Sequence, residues 1–313
     1  MSAPATYAAA FRTHLWSASV ERLARRMQAA CDDGRFVVLA DESHGPVPSP
    51  FAKVSHTDDM RALGLSRSPK LRSLWFNGDY GLYAMRQAMP DCDYYVMSEY
   101  DVAVNTPIGP LVRGAAGRGL DLIAHQCGPA PPDWHWRDNA CAWFAQPWRA
   151  FIFFVVVSAR AVDRLLACRR DMAARRRPGE RPAFCESFMI STVREEGLAW
   201  ANLSEFVETA DLKVRPHLHI DDPRASLPGS LAHPVLGSER IVDTLLAETS
   251  GGAYFKHSSP LRRAFDHEPF EKVAPALYAK LVQDGDGLSL SFLQAETARR
   301  GLTWPPPFEA ESR

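Results

Sequence analysis

Glu99 and Asp101 stand one residue apart at the end of the β-prone run Tyr94-Tyr95-Val96-Met97. Strand side chains alternate between faces, so the two carboxylates are expected on one side of a strand's carboxyl end. Two hard oxygen donors there suit a divalent cation that carries a diphosphate. In an open α/β sheet, ligands bind beyond the carboxyl ends of the strands. Acids spaced in this way also end many strands as solvated turn residues. The elements around the pair decide between a site and a turn.

Those elements alternate. Thr6 to Phe11 reads as a first strand, and Ser17 to Cys31 as a helix with Val20, Leu23, Met27 and Cys31 on one face. Phe36 to Ala40 is a fully apolar second strand, closed by Asp41-Glu42-Ser43. A Pro- and Ser-rich loop is expected over 43–57, a short amphipathic piece over Asp58 to Leu65, and a third strand at Leu74-Trp75-Phe76. Tyr80 to Met89 has helical spacing and stops at Pro90. This β-α-β-α-β-α-β order predicts a parallel sheet with crossover helices. Beyond Asp101 the pattern continues with a helix near Leu111 to Arg118, a strand over Leu122 to His125, and a doubly buried strand around Phe151. Helices follow at Ser158 to Arg176, from about Glu186, and at Pro269 to Val282.

Composition narrows the class. The chain has 313 residues, a net charge of −1, 23% charged and 46% hydrophobic residues, which describes an ordinary globular protein without a nucleic-acid partner. Met1 to Tyr7 lacks the basic start and apolar core of a signal peptide, and no apolar run reaches the ~20 residues that span a bilayer. Cys31, Cys92, Cys127, Cys141, Cys168 and Cys185 are scattered with no Cys-x-x-Cys pair. Reduced thiols in a cytoplasmic protein are expected, not zinc ligands or disulfides.

Four alternating β/α units ending in acid-x-Asp resemble the GT-A fold of nucleotide-sugar glycosyltransferases over roughly residues 5–200. The resemblance implies a Rossmann-type α/β fold: a mostly parallel central sheet with helices on both faces. It implies one domain over 1–313, with a nucleotide-sugar-binding half (1–105), an acceptor half (106–260) and a C-terminal helical extension (261–313). The acidic motif would hold Mn2+ or Mg2+ against the donor diphosphate, with Asp101 as direct ligand and Glu99 acting through water or the donor ribose. The family usually has Asp-x-Asp, and Glu99 stands in the first position here. A late His that completes the metal shell would be His233, with His217-x-His219-x-Asp221 as competitor. Ribose or base contact falls to Asp41, and phosphate or base contact to Arg12 and His14. Asp79, in Asn77-Gly78-Asp79, is either a donor contact or a helix cap. Glu186, at a helix start, would be the base of an inverting transfer, although the helix dipole favours an acid there without any chemistry.

The activity implied is transfer of a sugar from a nucleotide sugar, a UDP-sugar, to an acceptor hydroxyl on a glycan or glycolipid. Trp134, Trp136, Trp143 and Trp148 either stack on sugars or form a small satellite core. The arginine-rich run Arg169–Arg181 reads as a solvated helix end with a possible peripheral membrane contact. Two alternatives stay open: a nucleotidyltransferase, which should carry a Gly-rich loop where Arg12-Thr13-His14-Leu15-Trp16 stands, and an inactive nucleotide-binding or scaffold protein.

Overall fold

A computed structural model describes residues 5–65, 73–177 and 179–305. Met1 to Pro4, within the segment read above as lacking a leader, and Pro178 of the arginine-rich run lie outside the described residues. The chain divides into two compact units. The first runs up to Thr209 and includes Pro228–Leu231, and the second holds Ala210–Leu227 and the residues from Ala232 onward.

The first unit contains β1 (Tyr7–Thr13), α1 (Ala18–Ala30), β2 (Arg35–Asp41), β3 (Lys53–His56), α2 (Ser73–Phe76), α3 (Tyr80–Ala88), β4 (Tyr94–Glu99), β5 (Ala103–Val104), α4 (Ile108–Gly117), β6 (Leu122–Pro129), α5 (Arg137–Cys141), β7 (Trp148–Ser158), α6 (Ala159–Arg175), α7 (Cys185–Glu195) and β8 (Trp200–Asn202). Seven strands form one sheet in the order β3-β2-β1-β4-β7-β6-β8. All neighbours run parallel except β7, which is antiparallel to β4 and β6.

The order fixes where the helices go. From β1 through α1 to β2 the chain steps towards one edge. From β3 through α3 to β4 it steps back past β2 and β1. Right-handed crossovers in opposite directions put their helices on opposite faces. On one face α3, α6 and α7 pack Leu82, Tyr83, Leu165 and Phe188 against Ala8, Ala10, Leu39, Tyr95, Met97 and Val155. The alternating residues Ala9, Phe11, Val38, Ala40 and Val96 are fully buried on the other face. The expected mostly parallel sheet with both faces covered is therefore present. Local signals start the helices: Ser17 Oγ accepts the Val20 N–H (3.3 Å) at α1, and Ser158 Oγ the Ala161 N–H (3.1 Å) at α6. At Gly81 in α3, a Cβ would meet Leu39 Cδ2 at 2.7 Å, so any side chain there would have to displace Leu39 from the sheet surface.

Two expectations are corrected. The third strand is Lys53–His56, inside the stretch read as loop, and Leu74-Trp75-Phe76 belongs to helix α2. The edge strand offers only Val54 as an apolar residue, too little for a period-2 signal. The apolar triplet buries Phe76 fully and leaves Trp75 58% exposed, so it is not a strand buried on both faces.

In the second unit Leu218–His219 pairs in parallel with Val235–Leu236. Helices α8 (Ile241–Glu248), α9 (Pro260–Phe265), α10 (Phe270–Asp284) and α11 (Gly287–Arg299) build a core from Ile241, Leu245, Phe265, Leu277 and Leu293. Within His217-x-His219-x-Asp221, only Leu218–His219 is strand. His219 is buried, its Nε2 lies 2.8 Å from Glu268 Oε1, and its ring stacks on His267 at 5.1 Å.

Candidate active site

Between β1 and β4 the crossover direction reverses, which makes their carboxyl ends the switch point where an open α/β sheet receives ligands. Arg12 and Glu99 are paired there in register. Arg12 Nη2 donates to Glu99 Oε1, and Nη1 donates to the Gly78 carbonyl at 2.8 Å. β4 ends at Glu99, and the Val102 N–H closes a turn onto the Glu99 carbonyl at 3.1 Å. Strand alternation therefore does not align Glu99 with Asp101, because Asp101 sits inside the turn. The turn nonetheless brings a carboxylate oxygen of each within 4.8 Å of the other, and both residues are half-buried. Two hard oxygens at that separation fit a small divalent cation.

His14 follows β1, is exposed, and sets its ring edge-on to Tyr100 at 5.2 Å, beside the acidic pair. Asp41 ends β2 half-buried, and its Oδ1 accepts from the Ser43 N–H (2.9 Å) and hydroxyl (2.5 Å). Its register partner is His56 of β3, 9% exposed, whose Nε2 has no hydrogen-bond partner among the described residues. Burial pushes the His56 imidazolium towards its neutral form, against the pull of Asp41. His56 was not legible as a site residue because its strand was not.

Glu186 lies in the first turn of α7. Burial raises its carboxyl to about 8, the charge of Glu99 adds to the shift, and Arg149 opposes it. The dipole at a helix start favours the ionised form, and desolvation outweighs it here. The structure thus brings Glu99, Asp101, Arg12, His14 and Glu186 to one end of the sheet.

Asp79 does not join them. It is fully buried, and Arg169 grips both of its oxygens at 2.8 and 2.7 Å while the Tyr83 hydroxyl donates at 2.6 Å. Its oxygens are occupied inside the core, and its side chain does not cap α3. Arg169 is likewise withdrawn from the arginine-rich run: it is 2% exposed, and its guanidinium lies 3.6 Å over the Phe188 ring. The tryptophans resolve towards a satellite core. Trp134, Trp136, Trp143 and Trp148 pack against the main core, with Trp136 stacked on Phe184 at 4.7 Å.

His233 belongs to the second unit, where it is buried and its Nδ1 lies 2.5 Å from the Lys213 carbonyl. With Nδ1–H donated to that oxygen, Nε2 keeps the lone pair that ligates a metal. His233, Arg215 and Arg240 also push down the pKa of His217, after burial and against Glu248. This basic grouping, including Arg215 and Arg240, was not read from the sequence, where its members stand apart.

No family model matches the chain, and no curated protein matches it. Similar solved structures include a glycosyltransferase involved in glycosylation of the major capsid of PBCV-1, at 9% identity over 73% of this chain and 94% of that one, with a TM-score of 0.42. Another is the galactosyltransferase LgtC in complex with donor and acceptor sugar analogues, at 13% identity over 72% and 86%, with a TM-score of 0.41. Mouse xyloside xylosyltransferase 1 is similar at 11% identity over 64% and 84%, with a TM-score of 0.35.

Proposed function

We propose that this chain is a metal-dependent glycosyltransferase that moves a sugar from a UDP-sugar to an acceptor hydroxyl on a glycan or glycolipid. The observation that carries the reading is the Glu99–Asp101 oxygen pair at the β1/β4 switch point, beside the Arg12 guanidinium. Asp101 and Glu99 would hold Mn2+ or Mg2+. The bound cation would neutralise charge on the leaving diphosphate. Arg12 offers phosphate a planar donor fork. His14 and Asp41, at the ends of β1 and β2, would contact the base and ribose.

Glu186 would accept the acceptor hydroxyl's proton on its carboxylate as that oxygen attacks the anomeric carbon. A base works best with a pKa near the operating pH, which a value of about 8 satisfies. Because Glu99 raises that value, neutralising Glu99 lowers it and readies Glu186 for proton uptake. The scattered cysteines support the cytoplasm as compartment. A peripheral membrane contact would use the exposed Arg170, Arg175, Arg177 and Arg181.

The test is release of UDP and free or transferred sugar from a panel of UDP-sugars, with manganese present or chelated. Metal-dependent release from any one of them is expected. Its absence from all of them, with no UDP binding, would leave the inactive scaffold.

A further inference from the structure

Two guanidinium groups near this end of the sheet are held by carboxylates. Arg12 closes on Glu99 and Arg169 on Asp79. Arg149, the second residue of β7, is half-buried and has no carboxylate within ion-pair distance among the described residues. Its guanidinium lies over the Phe151 ring, 5.2 Å from the centroid, and Phe151 is stacked in turn on Phe153 at 5.1 Å. The ring fixes the orientation of the group without neutralising its charge. A partly desolvated cation without a counter-charge is unfavourable unless a ligand supplies one. β7 runs antiparallel to β4, and Arg149 pairs with Gly128 near the carboxyl end of β6, so Arg149 lies at the same end of the sheet as Glu99, and Glu186 senses the charge of both.

We infer that Arg149 binds the carboxylate or phosphate of a charged sugar, so that the substrate class of this site includes an anionic sugar. This rests on the reading under Proposed function for where the sugar lies, and the anion is carried either by the donor sugar or by the acceptor. The guanidinium fork matches both groups in a bidentate fashion.

The probes are matched pairs that differ in one anionic group, titrated into the full chain by calorimetry with manganese. UDP-glucuronate against UDP-glucose tests the donor source. Glucuronate and glucose 6-phosphate against glucose, with UDP present and again without it, test the acceptor source. In one of these comparisons the charged member is expected to bind about tenfold or more tighter, the scale of a charge-assisted hydrogen bond. Arg149→Gln should abolish the preference while UDP itself binds as to wild type. Equal binding of charged and neutral members to wild type, or a preference that survives in Arg149→Gln, overturns the inference. A tenfold loss of UDP affinity in Arg149→Gln also overturns it, because Arg149 then serves the nucleotide. If wild type binds no UDP, the glycosyltransferase reading fails by itself, and the nucleotide-free sugar pairs still decide on Arg149.

Discussion

Arg12 reaches from β1 to Glu99 of β4, so the cation of the switch point rests on one of the two carboxylates best placed for a metal. Both side chains are largely sheltered, 15% and 21% exposed, so the pair is poorly screened by solvent. Removing the guanidinium should leave Glu99 more negative and open to a divalent ion. Arg12→Ala is expected to bind manganese alone several-fold tighter and UDP several-fold weaker. Separate titrations of metal and nucleotide check both signs. Weaker binding of both would mean that Arg12 mainly supports the fold.

Glu186 gives a pH dependence with a definite sign. Its carboxyl is raised to about 8, by burial and then by Glu99, so at lower pH it is neutral and cannot take a proton. Turnover should rise about tenfold per pH unit up to that region and then level off, with the midpoint moved down when metal is bound. Glu186→Gln should lose about 10²–10⁴ in rate and the rising limb with it. Stability supplies an independent readout. A raised acid pKa means that the native state binds the proton more tightly than the unfolded chain, so native stability falls as pH climbs from the unfolded value towards 8. Glu186→Gln should match wild type at pH 4 and unfold at higher urea than wild type at pH 9. Near-normal turnover in Glu186→Gln would reduce Glu186 to a helix-start residue.

Asp79 and Arg169 are predicted to matter for stability and not for ligand binding. Removing one partner of a fully buried, hydrogen-bonded pair leaves an uncompensated charge and costs about 3–5 kcal/mol. Asp79→Ala should show that loss in urea unfolding. The double change Asp79→Leu with Arg169→Met should recover much of it, because no charge then remains buried. UDP affinity of the folded double variant should stay at the wild-type level.

The sequence made the frame of the site legible and obscured its details for identifiable reasons. Runs such as Val37-Val38-Leu39 and Val155-Val156-Val157 are apolar because both faces of the sheet are covered, so the central strands and their order could be read directly. Lys53–His56 is an edge strand with one apolar residue, and His56 was hidden with it. The placing of Glu99 beside Asp101 was anticipated, but by the wrong device, because a turn does the work assigned to strand alternation. The buried pairing of Asp79 was not legible because its partner Arg169 lies ninety residues away along the chain and no local pattern announces a long-range ion pair. The same holds for Arg149, whose aromatic support is local but whose lack of a carboxylate is a tertiary property.

Thiol chemistry should follow burial. All six cysteines are free, Cys141 is exposed, Cys92 and Cys185 are buried, and burial raises the Cys31 and Cys127 thiols to about 12. A thiolate-selective reagent under native conditions is expected to modify Cys141 first, and all six only in denaturant. Mass spectrometry of tryptic peptides reads the order.

The central claim is that Glu99 and Asp101 form a metal site for a nucleoside diphosphate. Calorimetry of UDP with wild type and Asp101→Asn, each with manganese and with chelator, tests it most directly. Wild type should bind UDP at least tenfold tighter with manganese, and Asp101→Asn should bind it with one weak affinity in both conditions while unfolding like wild type. Equal metal-dependent binding by the two proteins would contradict the account.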